Sequence, residues 1–254
     1  MYVAKHFELP QPHVEKLLAT VRPGNLVTTH ETGPMSTFVP FHLERRGDEQ
    51  WLVTHLVKNN PQAREPVSGP ALVLLDIADA YVSPHMYATN EALPNVPTWD
   101  YVTIHAWGEI HFDRTPEGAL RAAKELTLRM EQREVLDVIG EAKLLKMARA
   151  IVSAEIKVER IQAKAKLSQN RHPDDVRSLL EHLTSAGHDE LARYVREIAL
   201  PYAEARFEKT DSLKQSHRSV AITTDPKQSP QDLSVMSCPG LPLLPTTNND
   251  STAE

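Results

Sequence analysis

Hydrophobic and polar positions alternate over several short stretches in the first half of the chain, a pattern typical of β-strands. Pro40 lies inside one of these stretches and has no N–H to offer a neighbouring strand, so we expect that strand to be at an edge, bulged or interrupted. Close spacing and the turn-like sequences ETGP and RRGDE predict an antiparallel meander of three segments: LVTTH from Leu26, MSTFVPFHLE from Met35 and QWLVTHLV from Gln50.

Three further segments complete the expected sheet. ALVLLDIADAYV begins as a continuous apolar run, which predicts a strand that is buried on both faces at its start. In YVTIHAWG, Val102, Ile104 and Ala106 alternate with more polar neighbours, and AIVSAEIKVERI shows the same alternation. SPHMY and VPTWDY are interpreted as turns before the fifth strand, and KAKLSQNR, from Lys164 to Arg171, as a loop after the sixth.

Helical patterns surround these strands. A short helix is predicted after Pro12, and Thr115 followed by Pro116 predicts the capped start of a long helix. Another helix is expected over about residues 137–147, and HPDDVRSLLEHLTSAG and HDELARYVREIAL predict two more. We therefore divide the chain into a main domain over 1–186, a C-terminal helical extension over 187–210 and a disordered polar tail over 211–254.

Bulk composition excludes several kinds of protein. The formal net charge of -6 over 254 residues argues against an autonomous nucleic-acid binder, which needs a basic face. The single cysteine, Cys238, rules out an internal disulfide and a cysteine-built metal site. With neither an apolar signal-peptide core nor a run of membrane-spanning length, we expect a cytoplasmic protein without a membrane partner.

An aromatic stretch is the most informative region for function. Between Tyr81 and Gly108, three prolines punctuate a segment rich in flat rings, which suit a planar ligand. The alternative is a proline-rich loop whose aromatic side chains plug the end of a barrel. The residues concerned are Pro84, Pro94, Pro97, Tyr81, His85, Tyr87, Trp99 and Tyr101.

A polar loop, KNNPQAREPVSGP, follows the third segment of the meander. Lys58 and Arg64 supply positive charge there, and the asparagines supply neutral donors, so the loop suits an anion. It is otherwise a solvated connection. Together with the aromatic stretch it fits a phosphorylated planar cofactor, for which FMN is the natural candidate.

Other catalytic signatures are missing. The sequence has twelve histidines but no HExxH motif, so no metal site is predicted. It also has no GxSxG elbow, no GxGxxG loop and no Walker-type loop, which argues against a classical hydrolase, dinucleotide or NTP enzyme.

The order and spacing of several motifs resemble the PaiB-type family, described as FMN-binding negative transcriptional regulators. The motifs are MYVAKHF, STFVPF, THLVKNNPQ, YVSPHMY, VPTWDYVTIHAWG, IVSAEI and KLSQNR. The resemblance implies an α+β, mainly β fold: the antiparallel, Greek-key-like FMN-binding split β-barrel with peripheral helices. It also implies a homodimer with flavin sites at the subunit interface. The C-terminal helical extension predicted from the residue pattern lies outside the usual core of the family.

By position, the resemblance implies which residues surround the flavin. The ring would lie against Thr37, Phe38, Val39 and Pro40, and the ribityl-phosphate near His55, Lys58 and Asn60. Thr98, Trp99 and Tyr101 would close the pocket, from the same subunit or the other one, with Lys166, Ser168 and Gln169 nearby.

The chain departs from the family pattern at Ala4, Phe38, Ala63, His85, Met86 and Asp100. Asp100 stands where the family has a neutral amide, and Phe38 where it has a polar ring. Both changes are expected inside the pocket, where they would weaken flavin binding or adapt the cavity to another ligand.

Three functions follow. The first is an FMN-dependent oxidoreductase acting on a small-molecule substrate, with His55, Tyr101 or His105 as acid/base groups. The second is a non-enzymatic transcriptional regulator acting through flavin or a protein partner, since no basic helix-turn-helix is visible. The third is a cofactor-free enzyme in which Asp100 and a histidine form a proton-transfer pair.

Overall fold

The computed structural model describes the backbone of residues 1–222 and the side chains of residues 1–212. The chain divides into two units, residues 1–210 and 211–254, and every site discussed below lies in the first. The last helix runs to Ile222, and the rest of the predicted tail lies outside the described residues. None of the described helices is long and apolar enough to cross a membrane.

Six antiparallel strands close into a barrel in the order β1, β2, β3, β6, β5, β4 and back to β1, which confirms the predicted antiparallel barrel. The predicted meander forms the first three strands, and the predicted strand YVTIHAWG lies within the fifth. The strands are β1 (Arg22–His30), β2 (Gly33–Arg46), β3 (Glu49–Val57), β4 (Ala71–Val82), β5 (Thr98–Asp113) and β6 (Ile151–Lys166).

Helices cover the outside and one end of the barrel. They are α1 (Gln11–Leu18), α2 (Pro61–Arg64), α3 (Pro116–Glu131), α4 (Glu141–Ala148), α5 (Pro173–Ser185), α6 (Asp189–Tyr194) and α7 (Leu200–Ile222), with a π-helical turn at Val195–Ala199. Short 3-10 turns lie at Lys5–Phe7, Pro84–Met86 and Asp137–Ile139. The predicted cap is present, because the Thr115 hydroxyl accepts a hydrogen bond from the Gly118 amide at 3.1 Å.

Strand β2 changes its partner halfway along. Residues 33–41 pair with β1, and residues 42–46 pair with β3. Beyond the His42 and Val53 pair, β2 and β3 therefore diverge and leave an open edge between them. Pro40 lies at this edge, which confirms the interruption expected from its missing N–H.

One hydrophobic core fills the barrel and continues into the C-terminal helices. Leu26, Phe41 and Ile104 are buried inside the barrel, and Leu179 of α5 and Leu191 of α6 belong to the same cluster. The predicted boundary at 186/187 falls between these two helices.

Two sequence interpretations were wrong at the ends of strands. Trp99, Asp100 and Tyr101, expected in a turn, lie within β5. Lys164 and Lys166, expected in a loop, lie within β6, and the turn begins only after Lys166. In both cases polar and aromatic residues occupy regular strand positions because the neighbouring strand continues to pair with them.

Gly108 is required by a β-bulge between β5 and β6, where Trp107 pairs with Arg160 and Gly108 pairs with Val158. A Cβ atom at this position would lie 1.8 Å from the carbonyl oxygen of Lys157. We predict that Gly108→Ala lowers the free energy of unfolding in urea by about 2 kcal/mol or more, because the backbone must shift. The neighbouring exposed change Glu109→Ala is the control and should cost less than about 1 kcal/mol. Equal losses in the two variants would contradict this reading of the bulge.

Candidate functional site

The open edge between β2 and β3 exposes an apolar surface patch on the outside of the barrel, which we call the β2–β3 face. It consists of Phe38, Pro40, His55 and Val57. Phe38 is 67% exposed and Val57 62% exposed, unusual values for large apolar strand residues. Pro40 and Phe38 lie at alternate positions of one strand, so they belong to the same face.

A lysine at the border of this face and a histidine within it have unused hydrogen-bonding groups. Lys58 follows Val57 and is exposed, and in the described part of the chain its ammonium has no hydrogen-bond or ion-pair partner. The Nδ1 atom of His55 is buried and also lacks a partner within the described residues. The face therefore offers one free cation and one unused imidazole nitrogen.

His42 lies on the same side of the barrel as His55 and under α3. Its Nε2 atom is 3.1 Å from Glu44 Oε1, whereas its Nδ1 atom is buried and has no partner among the described residues. Burial lowers the pKa of His42, although the contact with Glu44 acts in the opposite direction. Burial, together with the nearby His42, also lowers the pKa of His55. Both rings are consequently neutral near pH 7.

Thr37 and Asn60 lie close together, as the site predictions require, but they contact each other. The Asn60 Nδ2 atom donates to Thr37 Oγ1 at 3.0 Å, and Thr37 Oγ1 donates to Gln62 Oε1 at 2.6 Å. Gln62 is fully buried and donates to the Leu26 carbonyl at 2.8 Å. This cluster fixes the loop after β3 to the interior of β1 and β2. Val39, on the same side of β2 as Thr37, packs against the core.

The other predicted group lies on the outer surface of β4 and β5. Trp99 and Tyr101 border a groove of about 440 Å³ that also contains Asp79, Thr103 and His105. The Trp99 Nε1 atom donates to Asp79 Oδ1 at 3.0 Å. Burial lowers the pKa of His105.

Asp100 points in the opposite direction from its two neighbours, into the end of the barrel, and is 0% exposed. It accepts hydrogen bonds from Ser168 Oγ at 2.7 Å and from Lys166 Nζ at 3.1 Å. Burial raises the pKa of the Asp100 carboxyl, against the lowering influence of Ser168 and Lys166. The hydroxyls of Tyr87 and Ser168 are 2.8 Å apart and extend this network.

The remaining predicted residues are part of the same end of the barrel. Lys166 Nζ donates to Thr98 Oγ1 at 2.6 Å and to the Trp99 carbonyl at 2.7 Å. Gln169 is buried and donates to the carbonyls of His6 and Ala165 at 2.8 and 2.7 Å. These side chains already have protein partners, and their hydrogen bonds hold the end of β6 and the turn that follows it in place.

The two predicted groups do not meet within one chain. In the closed strand order, β2 and β5 are three strands apart in either direction, so their outer faces point to opposite sides of the barrel. The β2–β3 face and the Trp99 and Tyr101 groove could contact one ligand only if they came from different copies of the chain.

Comparisons with known proteins decide the family. Residues 1–160 match the family model described as "Putative FMN-binding domain". The chain belongs to this FMN-binding domain family. The chain is also 31% identical over 194 residues to "Protease synthase and sporulation protein PAI 2" of Bacillus subtilis (strain 168), covering 72% of this chain and 89% of that protein. These findings confirm the resemblance visible in the motifs.

Solved structures with a similar fold include two flavoproteins. One is the FAD and heme binding protein from Mycobacterium smegmatis, with 18% identity, a TM-score of 0.45 and coverage of 62% of this chain and 71% of that chain. The other is the flavocytochrome Anf3 from Azotobacter vinelandii, with 13% identity, a TM-score of 0.42 and coverage of 61% and 67%.

The structure places the departures from the FMN-binding domain family in different environments. Phe38 is on the β2–β3 face, whereas Asp100 is inside the barrel end, so its carboxylate is not part of that face. Ala63 is 0% exposed and packs in the core, so it is not part of that face either. Ala4 precedes the first 3-10 turn, and His85 and Met86 lie in the second.

Sequence reasoning missed several residues that shape these sites. His42 is not among the predicted site residues, yet it has a buried nitrogen without a partner in the described structure, and its charge lowers the pKa of His55. Gln62 and Arg171 end the motifs THLVKNNPQ and KLSQNR. The sequence pattern did not indicate that Gln62 is buried or that Arg171 adjoins a cavity. Tyr87 was grouped with the ligand-facing aromatics and is 3% exposed.

We predict a pH dependence from the buried histidines. Because the pKa of His42 is lowered from its ordinary value of 6.5, the unfolded chain binds more protons than the folded one. The contribution of the neutral ring to the free energy of unfolding is fully present above about pH 6.5. It is lost as the pH falls below that value, by up to about 1.4 kcal/mol per pH unit for each such group. His42→Gln should reduce this slope between pH 7 and 5 in urea titrations.

The exposed substitution His111→Gln is the matched control, because it removes an imidazole from an outer strand position without touching the buried ring. A slope unchanged in His42→Gln would contradict the assignment of the pH dependence to this site.

Proposed function

We propose that the protein binds FMN between two copies of the chain and uses it as an oxidoreductase acting on a small molecule. The observation that carries the proposal is the β2–β3 face, where an exposed aromatic ring, a proline, an unpartnered imidazole nitrogen and a free ammonium occur together in a member of the FMN-binding domain family.

The residues of this face suit the parts of FMN. Phe38 and Pro40 present a flat apolar surface for the ring system. Lys58 supplies a positive charge for the phosphate without having to give up an existing partner. The buried Nδ1 atom of His55 would gain the hydrogen bond that it lacks in the free protein.

The second half of the site would come from another copy. Trp99 is 51% exposed on the opposite side of the barrel, and Tyr101 lies beside it in the groove. A twofold homodimer that places this groove against the β2–β3 face of its partner would form two identical flavin sites. It would also cover Phe38, Val57 and Trp99, whose exposure a monomer leaves unexplained.

FMN, when bound, supplies the transfer of electrons between two small molecules. The protein's own residues would position the ring, exclude water and manage protons. His55 is neutral at pH 7 because burial lowers its pKa, so its ring can accept a proton. Tyr101 and His105, on the groove of the other copy, are the alternative proton-transfer groups, and the substrate would lie between the two sets.

The other two functions receive less support. Asp100 is bonded to Ser168 and Lys166 and has no histidine partner among the described residues, so a cofactor-free Asp100–histidine pair lacks its geometry. Helices α5 and α6 are joined by a short turn, but α6 begins with Asp189 and Glu190, which would repel DNA phosphates. A regulatory role would therefore act through flavin or a protein partner.

We predict that Lys58→Gln weakens binding of FMN by about tenfold or more and leaves binding of riboflavin nearly unchanged, because riboflavin has no phosphate. Both affinities can be measured by quenching of flavin fluorescence. Lys124→Gln, an exposed lysine on α3, is the control and should behave as the wild type. An equal loss for FMN and riboflavin, or no loss, would place the phosphate elsewhere.

A mixing experiment tests whether two chains build each site. Lys58→Gln and Trp99→Ala should each bind FMN poorly as homodimers. After subunit exchange, half of the dimers are mixed and each of these has one intact site, so about a quarter of all sites should recover wild-type affinity. Flavin fluorescence and light scattering follow the recovery and the dimer.

No recovery despite demonstrated exchange would show that both residues act on a site within one chain. A monomer at micromolar concentration would exclude the shared site altogether.

A further inference from the structure

A small cavity of about 100 Å³ opens where β6 ends, beside the network of Asp100. Two cationic side chains line it, and no carboxylate among the described residues does. Its polar lining consists of Tyr87, Thr98, Lys166, Ser168, Asn170 and Arg171. The cavity is too small for a flavin ring but has room for a single small polar group.

One of the two cations is already neutralised. The Lys166 ammonium donates to the Thr98 hydroxyl, the Trp99 carbonyl and the Asp100 carboxylate, which uses all three of its N–H groups. Asp100 in turn is bonded to both Lys166 and Ser168. The charges of Lys166 and Asp100 therefore balance each other.

Arg171 lies outside the ion pair of Lys166 and Asp100, although its positive charge acts to lower the pKa of the Asp100 carboxyl. Its Nη1 atom donates to the neutral amide oxygen of Asn95, and its guanidinium lies 5.0 Å from the centre of the Tyr87 ring. Within the described residues, no carboxylate forms an ion pair with it. A guanidinium has five N–H groups, and a partly buried cation with unused donors is costly unless an anion balances it.

Two neutral donors complete the lining. The Thr98 hydroxyl accepts from Lys166, so its own hydrogen remains available. The side-chain amide of Asn170 has no hydrogen-bond partner in the described structure, although its backbone carbonyl accepts from Arg206. With Arg171 they surround the cavity with donors suited to the oxygens of one anion.

The walls of the cavity are fixed before any ligand arrives. Ser168 has a φ of 58°, in the left-handed region that residues other than glycine rarely adopt. Its hydroxyl lies between Tyr87 and Asp100, with oxygen distances of 2.8 and 2.7 Å. A conformation held against this strain is common at functional sites.

We infer that this cavity binds a small oxyanion, either a phosphate or a carboxylate group, with Arg171 as its counter-ion. The anion is supplied by a free ligand or by the phosphate of a flavin, and the chemistry of recognition is the same in both cases. In the second case the inference rests on the proposed binding of FMN and moves its phosphate from Lys58 to Arg171; in the first case it is independent of the proposed function.

Isothermal titration calorimetry of the full chain with inorganic phosphate tests the inference, at constant ionic strength in chloride. The wild type should show saturable binding, and Arg171→Gln should weaken it by about tenfold or more. Asn170→Ala, an exposed change that preserves the fold, should weaken it by a smaller factor. Arg114→Gln, which removes another arginine that lies over an aromatic ring, is the matched control and should bind as the wild type does.

Repeating the titration with FMN or riboflavin present distinguishes the sources. Phosphate that FMN displaces and riboflavin does not would identify the flavin phosphate, and phosphate that binds beside FMN would identify a separate anionic ligand. Both results support the cavity as an anion site. No saturable binding by the wild type, or equal binding by wild type and Arg171→Gln, would overturn it. Visible absorption of the same samples reports flavin separately, so a colourless protein with Arg171-dependent phosphate binding contradicts only the flavin proposal.

Discussion

The change of partner along β2 is the constraint on which the rest of the structure depends. A strand that pairs with β1 in its first half and β3 in its second half closes the barrel and still leaves one edge open. Pro40 stands at that edge, and its missing N–H means that a third strand could not pair there fully. The open edge brings Phe38 to the surface beside His55 and Val57. A fully paired barrel would bury this edge and have no β2–β3 face.

Buried polar groups then fix which residues can serve a ligand. The Asp100, Lys166 and Ser168 network ties the start of β5 to the end of β6 at the barrel end. Since side chains alternate along a strand, holding Asp100 inside places Trp99 and Tyr101 outside. The Trp99 and Tyr101 rings are therefore exposed to a second copy of the chain, whereas the Asp100 carboxylate between them is bonded to Lys166 and Ser168 inside the barrel. On the other side, burial keeps His42 and His55 neutral and leaves His55 with an unused nitrogen.

Sequence periodicity was sufficient for the elements of the fold. The alternation around Val102 and Ile104 predicted β5, the Thr115 and Pro116 pair predicted the start of α3, and Pro40 predicted the interruption in β2. The family motifs supplied the barrel. What sequence could not provide was the direction of each side chain near strand ends, because pairing extends strands past the point where the apolar pattern stops. Asp100 and Lys166 were therefore assigned to turns and loops. Arg171 could not be recognised as a lone cation either, since ion pairing depends on contacts between distant segments.

A crystal structure of the protein grown with FMN tests the shared flavin site most directly. The flavin ring should lie on Phe38 and Pro40 of one copy, with its phosphate near Lys58 or in the Arg171 cavity, and with Trp99 and Tyr101 of the second copy closing the site. A flavin bound wholly within one chain, for example in the groove beside His105, would contradict the two-chain site. A dimer that covers the β2–β3 face while leaving FMN unbound at saturating concentration would contradict the cofactor.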